Sequence, residues 1–127
     1  MTNHEIIELL RDGLDKAKAR STWQKGIKAY AADMLDELQV LEDEHNDVRI
    51  SNYGDFCKEL FFDAENWFQL STCGEAPTLV SNHEIKERLL TASEKKKADN
   101  IDCAKLQARA LEHAANILKS IYKSVIK

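Results

Sequence analysis

The chain has 127 residues, of which 43% are hydrophobic and 31% are charged, and its formal net charge is −4. This length fits one domain with one core, and this composition excludes a disordered or collagen-like chain. Four glycines and one proline are few interruptions, so helices are expected rather than long loops. The predicted fold class is all-α: residues 1–127 form a single helical domain, a bundle of four to six helices.

The cysteines and the amino terminus indicate a cellular compartment. Cys57, Cys73 and Cys103 are widely spaced and form no Cys-x-x-Cys pair, which is typical of a reducing environment. The first residues lack the basic start and apolar stretch of a signal peptide, and no run approaches the roughly 18 apolar residues of a membrane span. We therefore expect a cytoplasmic protein that has no membrane partner.

The first two predicted helices begin at capping boxes. In Thr2-Asn3-His4-Glu5 and in Ser21-Thr22-Trp23-Gln24, a Glu or Gln follows a hydroxyl residue by three positions. The helix near residues 3–19 has one apolar face. The helix near 22–46 is amphipathic, because its apolar residues recur at alternating steps of four and three: Trp23, Ile27, Tyr30, Met34, Leu38 and Leu41.

A third helix is predicted near residues 52–69, capped by Ser51-Asn52. Six of the nine aromatic residues of the chain lie in it, between Tyr53 and Phe68. It is apolar over more of its circumference than a surface helix, which predicts that it is the central helix. Residues 69–80 then lose the helical period, and a short irregular or hairpin segment is expected there.

Two further capping boxes, Ser81 to Glu84 and Thr91 to Glu94, predict a helix near residues 82–91 and one turn over Lys95 to Lys97. The last predicted helix covers residues 100–126. Its predicted buried face consists of Leu106, Ala110, Leu111, Ala114, Ile117, Leu118, Ile121 and Val125. Its opposite face is polar and mostly basic.

Four pieces of the chain resemble a known family: Trp23-x-x-Gly26-Ile27-x-x-Tyr30-Ala31, Asn66-Trp67-x-Gln69-x-Ser71-x-x-Gly74, Ile85-x-x-Arg88-Leu89 and Leu106-Gln107-Ala108-Arg109-Ala110-Leu111. They are similar to a family of small uncharacterised proteins of gut Firmicutes and of their phages and integrated elements. The resemblance implies an association with a phage or mobile element, and it implies no reaction. The chain departs from the family pattern at Cys73-Gly74-Glu75, where the family has Gly-Gly-Cys.

No residue pattern specifies a reaction. Cys73 and His83 flank the segment after the aromatic residues, and a thiolate beside an imidazole is a nucleophile and base pair. Their spacing does not establish contact, and no third orienting residue supports them. A Cys/His-dependent enzyme is therefore the third hypothesis, and we predict no catalytic residue. The cysteines and histidines lack the short ligand pairs of a zinc site, and the single Gly74 before Ser81 is too little for a phosphate loop. Neither a metal nor another cofactor is expected.

Two surfaces are the predicted partner-binding sites. The first is the end of the aromatic segment and the residues after it: Trp67, Cys73, Gly74, Pro77 and His83. The second is an acidic run from Asp33 to Asp47, with seven carboxylates in fifteen residues and no Lys or Arg. Within it we predict contacts by Asp36, Glu37, Asp43 and Glu44; a solvated helix face is the alternative interpretation. The predicted function is a non-enzymatic interaction protein that binds another protein, with self-association as an option.

The alternative function is a small nucleic-acid-associated regulator. Residues 1–85 carry eight Lys or Arg against seventeen Asp or Glu, whereas residues 86–127 carry ten against five. The basic residues that would follow a phosphate backbone are Lys95, Lys96, Lys97, Lys105, Arg109, Lys119 and Lys123. The acidic character of the whole chain, with a pI near 5.6, weighs against this alternative.

Overall fold

The computed structural model describes residues 2–45, 50–61, 79–97, 100–101 and 103–126. The described residues form six α-helices and contain no strand, which confirms the all-α fold class. The helices are α1 (Asn3–Lys16), α2 (Thr22–His45), α3 (Tyr53–Phe61), α4 (Asn82–Leu89), α5 (Ala92–Lys96) and α6 (Cys103–Val125).

The predicted starts of α2, α3 and α5 are confirmed by their capping bonds, whereas the last helix, predicted from residue 100, begins at Cys103. The Ser21 Oγ accepts the backbone N–H of Gln24 at 3.1 Å, and the Gln24 Oε1 accepts the backbone N–H of Ser21 at 3.3 Å. Thr91 and Glu94 form the same reciprocal pair at the start of α5. The Asn52 Oδ1 accepts the Gly54 N–H at 2.8 Å before α3. These bonds satisfy N–H groups that a helix start leaves without a partner.

The predicted end of the first helix was wrong. α1 ends at Lys16 rather than near residue 19, and Ala17 has extended dihedral angles of φ −68° and ψ 127°. The Lys28 Nζ of α2 lies 3.3 Å from the Asp15 carbonyl oxygen and 3.1 Å from that of Ala17. A cation here satisfies carbonyl groups that the helix end leaves free and interacts favourably with the helix dipole.

The centre of the described fold is α6, which packs against α1, α2, α3 and α4. The helix predicted to be central is described only as far as Phe61, and its described part packs on α6 through the stacked rings of Phe56 and Tyr122, 4.5 Å apart. Much of the buried face of α6 consists of alanines, which let neighbouring helices approach closely: Ala104, Ala108, Ala110, Ala114 and Ala115.

The predicted buried face of α6 needs correction at three positions. Ile117 and Ile121 are half-buried rather than buried. Val125 is 39% exposed. It lies at the last residue of α6, where periodicity continues but fewer neighbouring elements are present to cover the face.

Residues 79 and 80 lead into α4 and pack tightly on α2 at Gly26. A Cβ atom at Gly26 would lie 2.5 Å from the Leu79 carbonyl oxygen and 2.8 Å from the Val80 Cγ2. Both distances are shorter than a van der Waals contact. The absence of a side chain at residue 26 is therefore what admits this segment.

A buried polar network, which the sequence pattern did not reveal, fastens the same segment. Gln107 of α6 is fully buried. Its Nε2 donates to the Val80 carbonyl oxygen at 2.9 Å and to the Asn82 Oδ1 at 2.7 Å. The Tyr30 hydroxyl donates to the Gln107 Oε1 and accepts the Leu79 N–H at 3.3 Å. Gly26, Tyr30 and Gln107, which belong to the pieces that carry the family resemblance, thus have packing roles in this fold.

Candidate functional site

Most of the first predicted partner site lies outside the described residues. This applies to Trp67, Cys73, Gly74 and Pro77, and the prediction for them stays a prediction. His83 is described, and it is exposed in the first turn of α4.

The acidic face of α2 exposes Asp36, Glu37 and Asp43, and its charge is partly compensated within the chain. The Asp36 Oδ1 lies 2.7 Å from the Arg11 Nη2 of α1, and the Asp43 Oδ1 accepts the Gln39 Nε2 at 2.9 Å. Glu44 lies in α2, and its side chain is outside the described part of the chain.

Asp33 is a residue of the acidic run whose environment disfavours its charge. Partial burial, followed by the negative charge of Asp36, raises the pKa of the Asp33 carboxyl above its ordinary value.

The predicted basic residues are brought together in part. An Arg109 to Glu94 ion pair joins α6 to α5, and Lys95, Lys96 and Lys97, which follow Glu94 in the chain, are exposed. A hydrogen bond from the Thr91 N–H, and then the Arg109 guanidinium, lower the pKa of the Glu94 carboxyl.

Farther along α6, Lys105 is exposed and Lys119 is half-buried. The Lys123 Nζ lies 5.1 Å from the centre of the Tyr53 ring. Arg109 and Lys123 are therefore engaged by neighbours in the fold.

A cleft that the sequence analysis missed lies where α1 ends and α2 begins, with α4 and α6 as its other walls. Its volume is about 310 Å³, a size typical of the smaller ligand sites. We call it the Trp23 cleft. Its polar and aromatic lining includes Lys18, Trp23, Gln24, Lys28, Arg88 and His113.

The Trp23 indole links the walls of the cleft. Trp23 is only 7% exposed. The Arg88 Cζ lies 5.3 Å from the centre of its ring, within the range of a cation–π interaction. The His113 ring lies 6.0 Å from it, tilted by 48°. Side chains of α2, α4 and α6 therefore meet at this one aromatic ring.

The cleft combines positive charge with apolar surface. Lys18, Lys28 and Arg88 contribute cations, while Leu14, Ile27 and Ile117 contribute aliphatic surface. Among the described residues that line it there is no carboxylate, serine, threonine or cysteine. Concentrated charge of one sign beside apolar walls attracts an anionic group that carries an apolar body. The arrangement is suited to binding such a group.

Sequence reasoning missed the cleft because its residues are distant along the chain. Lys18, Arg88 and His113 were each part of an ordinary helical or loop pattern. Trp23 was assigned correctly to the buried stripe of α2, but nothing local shows that Arg88 covers it. A tryptophan in the first turn of a helix, just after a Lys- and Arg-containing connection, was the available signal.

The described residues were searched for metal-binding groups and for membrane-spanning helices. They contain no group of three or more His, Cys, Asp or Glu side chains placed to hold a metal ion. None of the described helices combines the length and the hydropathy that a membrane span requires.

Comparisons of the chain with protein-family models, with curated proteins and with solved structures found no match. The geometry of the described surfaces is therefore the basis for proposing a function.

Proposed function

We propose that this chain is a non-enzymatic helical protein that acts by binding another protein, and that the Trp23 cleft holds an acidic segment of that partner. The observation that carries the proposal is the meeting of Arg88, Lys18 and Trp23 in one open cleft. Arg and Trp are the residue types most enriched among the energetically dominant contacts of protein interfaces.

The dimensions and charge of the cleft favour a peptide segment. A volume of about 310 Å³ accommodates one or two side chains. Arg88 and Lys18 are exposed, so an approaching carboxylate can reach them. A segment in which Asp or Glu stands beside an apolar residue matches both parts of the lining.

A library of random linear peptides tests the proposal. Peptides selected on the wild-type protein are expected to carry Asp or Glu beside an aromatic or aliphatic residue. Their affinity for the Arg88→Gln variant should fall about tenfold or more, because hydrogen bonds to charged groups contribute about 1.5–3 kcal/mol. Lys58→Gln is the matched control, because Lys58 is an exposed cation on α3 that does not line the cleft. Selected peptides without carboxylates would contradict an acidic segment as the ligand, and equal affinity for both variants would contradict the cleft as the binding site.

The nucleic-acid alternative has one observation in its favour, the Arg109 to Glu94 pair that joins α5, which carries Lys95 and Lys96, to the basic helix α6. It predicts binding to DNA or RNA that weakens steeply with salt, with a logarithmic slope of roughly −0.7 to −0.9 per phosphate contacted. Binding that is insensitive to salt, or unchanged when Lys95, Lys96 and Lys97 are replaced by Gln, would eliminate it.

Self-association and the link to a phage or mobile element remain separate predictions. Light scattering at several salt concentrations tests the first, because the acidic face of one copy would pair with basic residues of another and separate at high salt. The genes beside this one test the second.

A further inference from the structure

We propose that the Trp23 cleft recognises a single carboxylate joined to an aromatic or branched apolar group, with Arg88 holding the carboxylate and Trp23 contacting the apolar group. This inference rests on the proposed function and names the chemical group that the partner must present.

Arg88 differs from two other arginines of the described chain. Arg11 pairs with Asp36, and Arg109 pairs with Glu94. Arg88 instead lies over the Trp23 ring, and no carboxylate of the described residues forms an ion pair with it. Its N–H groups therefore remain available to an anion from outside the chain.

The position of Arg88 on α4 strengthens this argument. Glu84 precedes Arg88 by four residues on α4, which is the spacing of a favourable helical ion pair. The structure has the guanidinium over the indole instead. A cation–π contact brings the guanidinium carbon over the ring, whereas a carboxylate binds along the N–H edge through two parallel hydrogen bonds. The two interactions are compatible, so a carboxylate can bind Arg88 while it lies over the indole.

The remaining lining provides space for the apolar group of the ligand, and the cost of desolvation favours a ligand with a single negative charge. Leu14 and Ile27 are buried and Ile117 is half-buried, and a volume of about 310 Å³ has room for a phenyl-sized group. Lys28 is committed to the carbonyl groups at the end of α1, which leaves Lys18 and Arg88 as the exposed cations. Desolvation beside aliphatic walls is more costly for a doubly charged phosphate than for a carboxylate. The cleft therefore favours the carboxylate.

Small probes test the carboxylate and the apolar group of the ligand separately. The full chain is titrated with 3-phenylpropionate, its neutral amide 3-phenylpropionamide, acetate and phenyl phosphate, and the NMR signal of the Trp23 indole N–H is followed. We expect 3-phenylpropionate to shift this signal to saturation. Each of the other three probes should bind at least about tenfold more weakly, because each lacks either the charged hydrogen-bonding group or the apolar group, or adds a second charge.

Variants locate the contacts. Arg88→Gln should weaken 3-phenylpropionate about tenfold or more, and Lys58→Gln should change it less than about twofold because exposed charges away from the site are screened. Arg88→Lys keeps the charge without the planar fork and should give an intermediate loss. Since Arg88 is exposed, these variants are expected to unfold at the wild-type temperature. Lys18→Gln supplies a second test that leaves the Trp23 and Arg88 contact intact.

Three outcomes would overturn the inference: equal binding of the amide, tighter binding of phenyl phosphate, or equal losses in Arg88→Gln and Lys58→Gln. Saturable binding of 3-phenylpropionate with no peptide selected from the library would support the carboxylate site and reject a protein as its ligand. Peptides that bind the cleft without any carboxylate would overturn this inference and leave protein binding in place.

Discussion

The buried polar pair of Gln107 and Tyr30 fixes the position of the segment that leads into α4. Buried polar groups are nearly always hydrogen-bonded, because an unpaired one loses its interactions with water and receives nothing in return. The Gln107 amide satisfies this requirement only if Val80 and Asn82 stand where they do. The pair therefore specifies where the chain enters α4.

Replacement of Gln107 by Ala should lower the free energy of unfolding by about 2–4 kcal/mol, because it leaves the Val80 carbonyl group without its donor and opens a cavity. Urea unfolding measures the change. Gln39→Ala is the matched control: Gln39 is half-buried on α2 and bonds to Asp43 four residues later, a contact that contributes about 0.2–0.5 kcal/mol. Similar losses in both variants would contradict a structural role for the network.

Tyr30 predicts a dependence of stability on alkaline pH. Burial is the main cause that raises the pKa of Tyr30, opposed in part by its hydrogen bond to the Leu79 N–H. The unfolded chain releases this phenolic proton near pH 10, whereas the folded chain retains it to higher pH. The folded state then binds more protons, so stability is complete below about pH 10 and falls as the pH rises above it.

Urea unfolding between about pH 9 and 11 should show a smaller loss of stability in Tyr30→Phe than in the wild type. Part of the loss of stability should persist in Tyr30→Phe, because the pKa of Tyr122 is also raised. Burial is the main cause of that shift, and the nearby Cys57 is a smaller one. Identical pH profiles for the two proteins would show that Tyr30 does not titrate differently on folding.

At the scale of the elements, the contact of α2 with residues 79 and 80 depends on Gly26. Gly13 in α1 offers a comparison, since a Cβ atom there would lie 2.6 Å from the Ile121 Cγ2. The obstacle at Gly13 is a methyl group on the branched Cβ of Ile121, whose side chain is half-buried and has one strongly preferred rotamer in a helix. At Gly26 the nearest obstacle is a backbone carbonyl group, which the Gln107 network holds in place.

We therefore expect different losses from two glycine substitutions. Gly26→Ala should lower the free energy of unfolding by about 1–3 kcal/mol, because overpacking exceeds the gain in helix propensity of about 1 kcal/mol. Gly13→Ala should cost less than Gly26→Ala, since the same gain in helix propensity applies and the obstacle is a half-buried side chain rather than a backbone carbonyl group held by hydrogen bonds. Thermal and urea unfolding measure the stability of both variants. A Gly26→Ala variant as stable as the wild type would show that residues 79 and 80 can move away from α2 at little cost.

At the scale of the whole molecule, α6 connects the other helices through its alanine-rich face. Ala114 is fully buried on this face, and α1, α2, α3 and α4 all pack on the helix that carries it. A change of volume at Ala114 is therefore transmitted to several helices, and the described helices are expected to unfold together.

Ala114→Leu should destabilise the protein by about 1–3 kcal/mol, because extra methylene groups in a packed core displace their neighbours. The helical circular dichroism and the tryptophan fluorescence should still change at the same urea concentration, as in a two-state transition. Asn116→Leu, at an exposed position on the same helix, should change stability by less than about 0.5 kcal/mol. Separate transitions for the two signals would reject a single cooperative unit.

Ion pairs within the fold compensate part of the charge in each half of the sequence. Arg11 compensates Asp36 within the acidic part of the chain, and Arg109 compensates Glu94 within the basic part. The Trp23 cleft takes Lys18 and Lys28 from the acidic part and Arg88 from the basic part. A cationic site thus forms in a chain whose net charge is −4.

Local features of this protein follow from its sequence alone. The caps at Ser21 and Thr91, the all-α class and the buried stripe of α2 depend on residues within one or two helical turns of each other. The end of α1, the burial of Gln107 and the Trp23 cleft depend on side chains from other helices, such as Lys28 and Arg88. Sequence periodicity records which face of a helix is apolar, whereas which distant side chain meets that face is decided only when the helices pack.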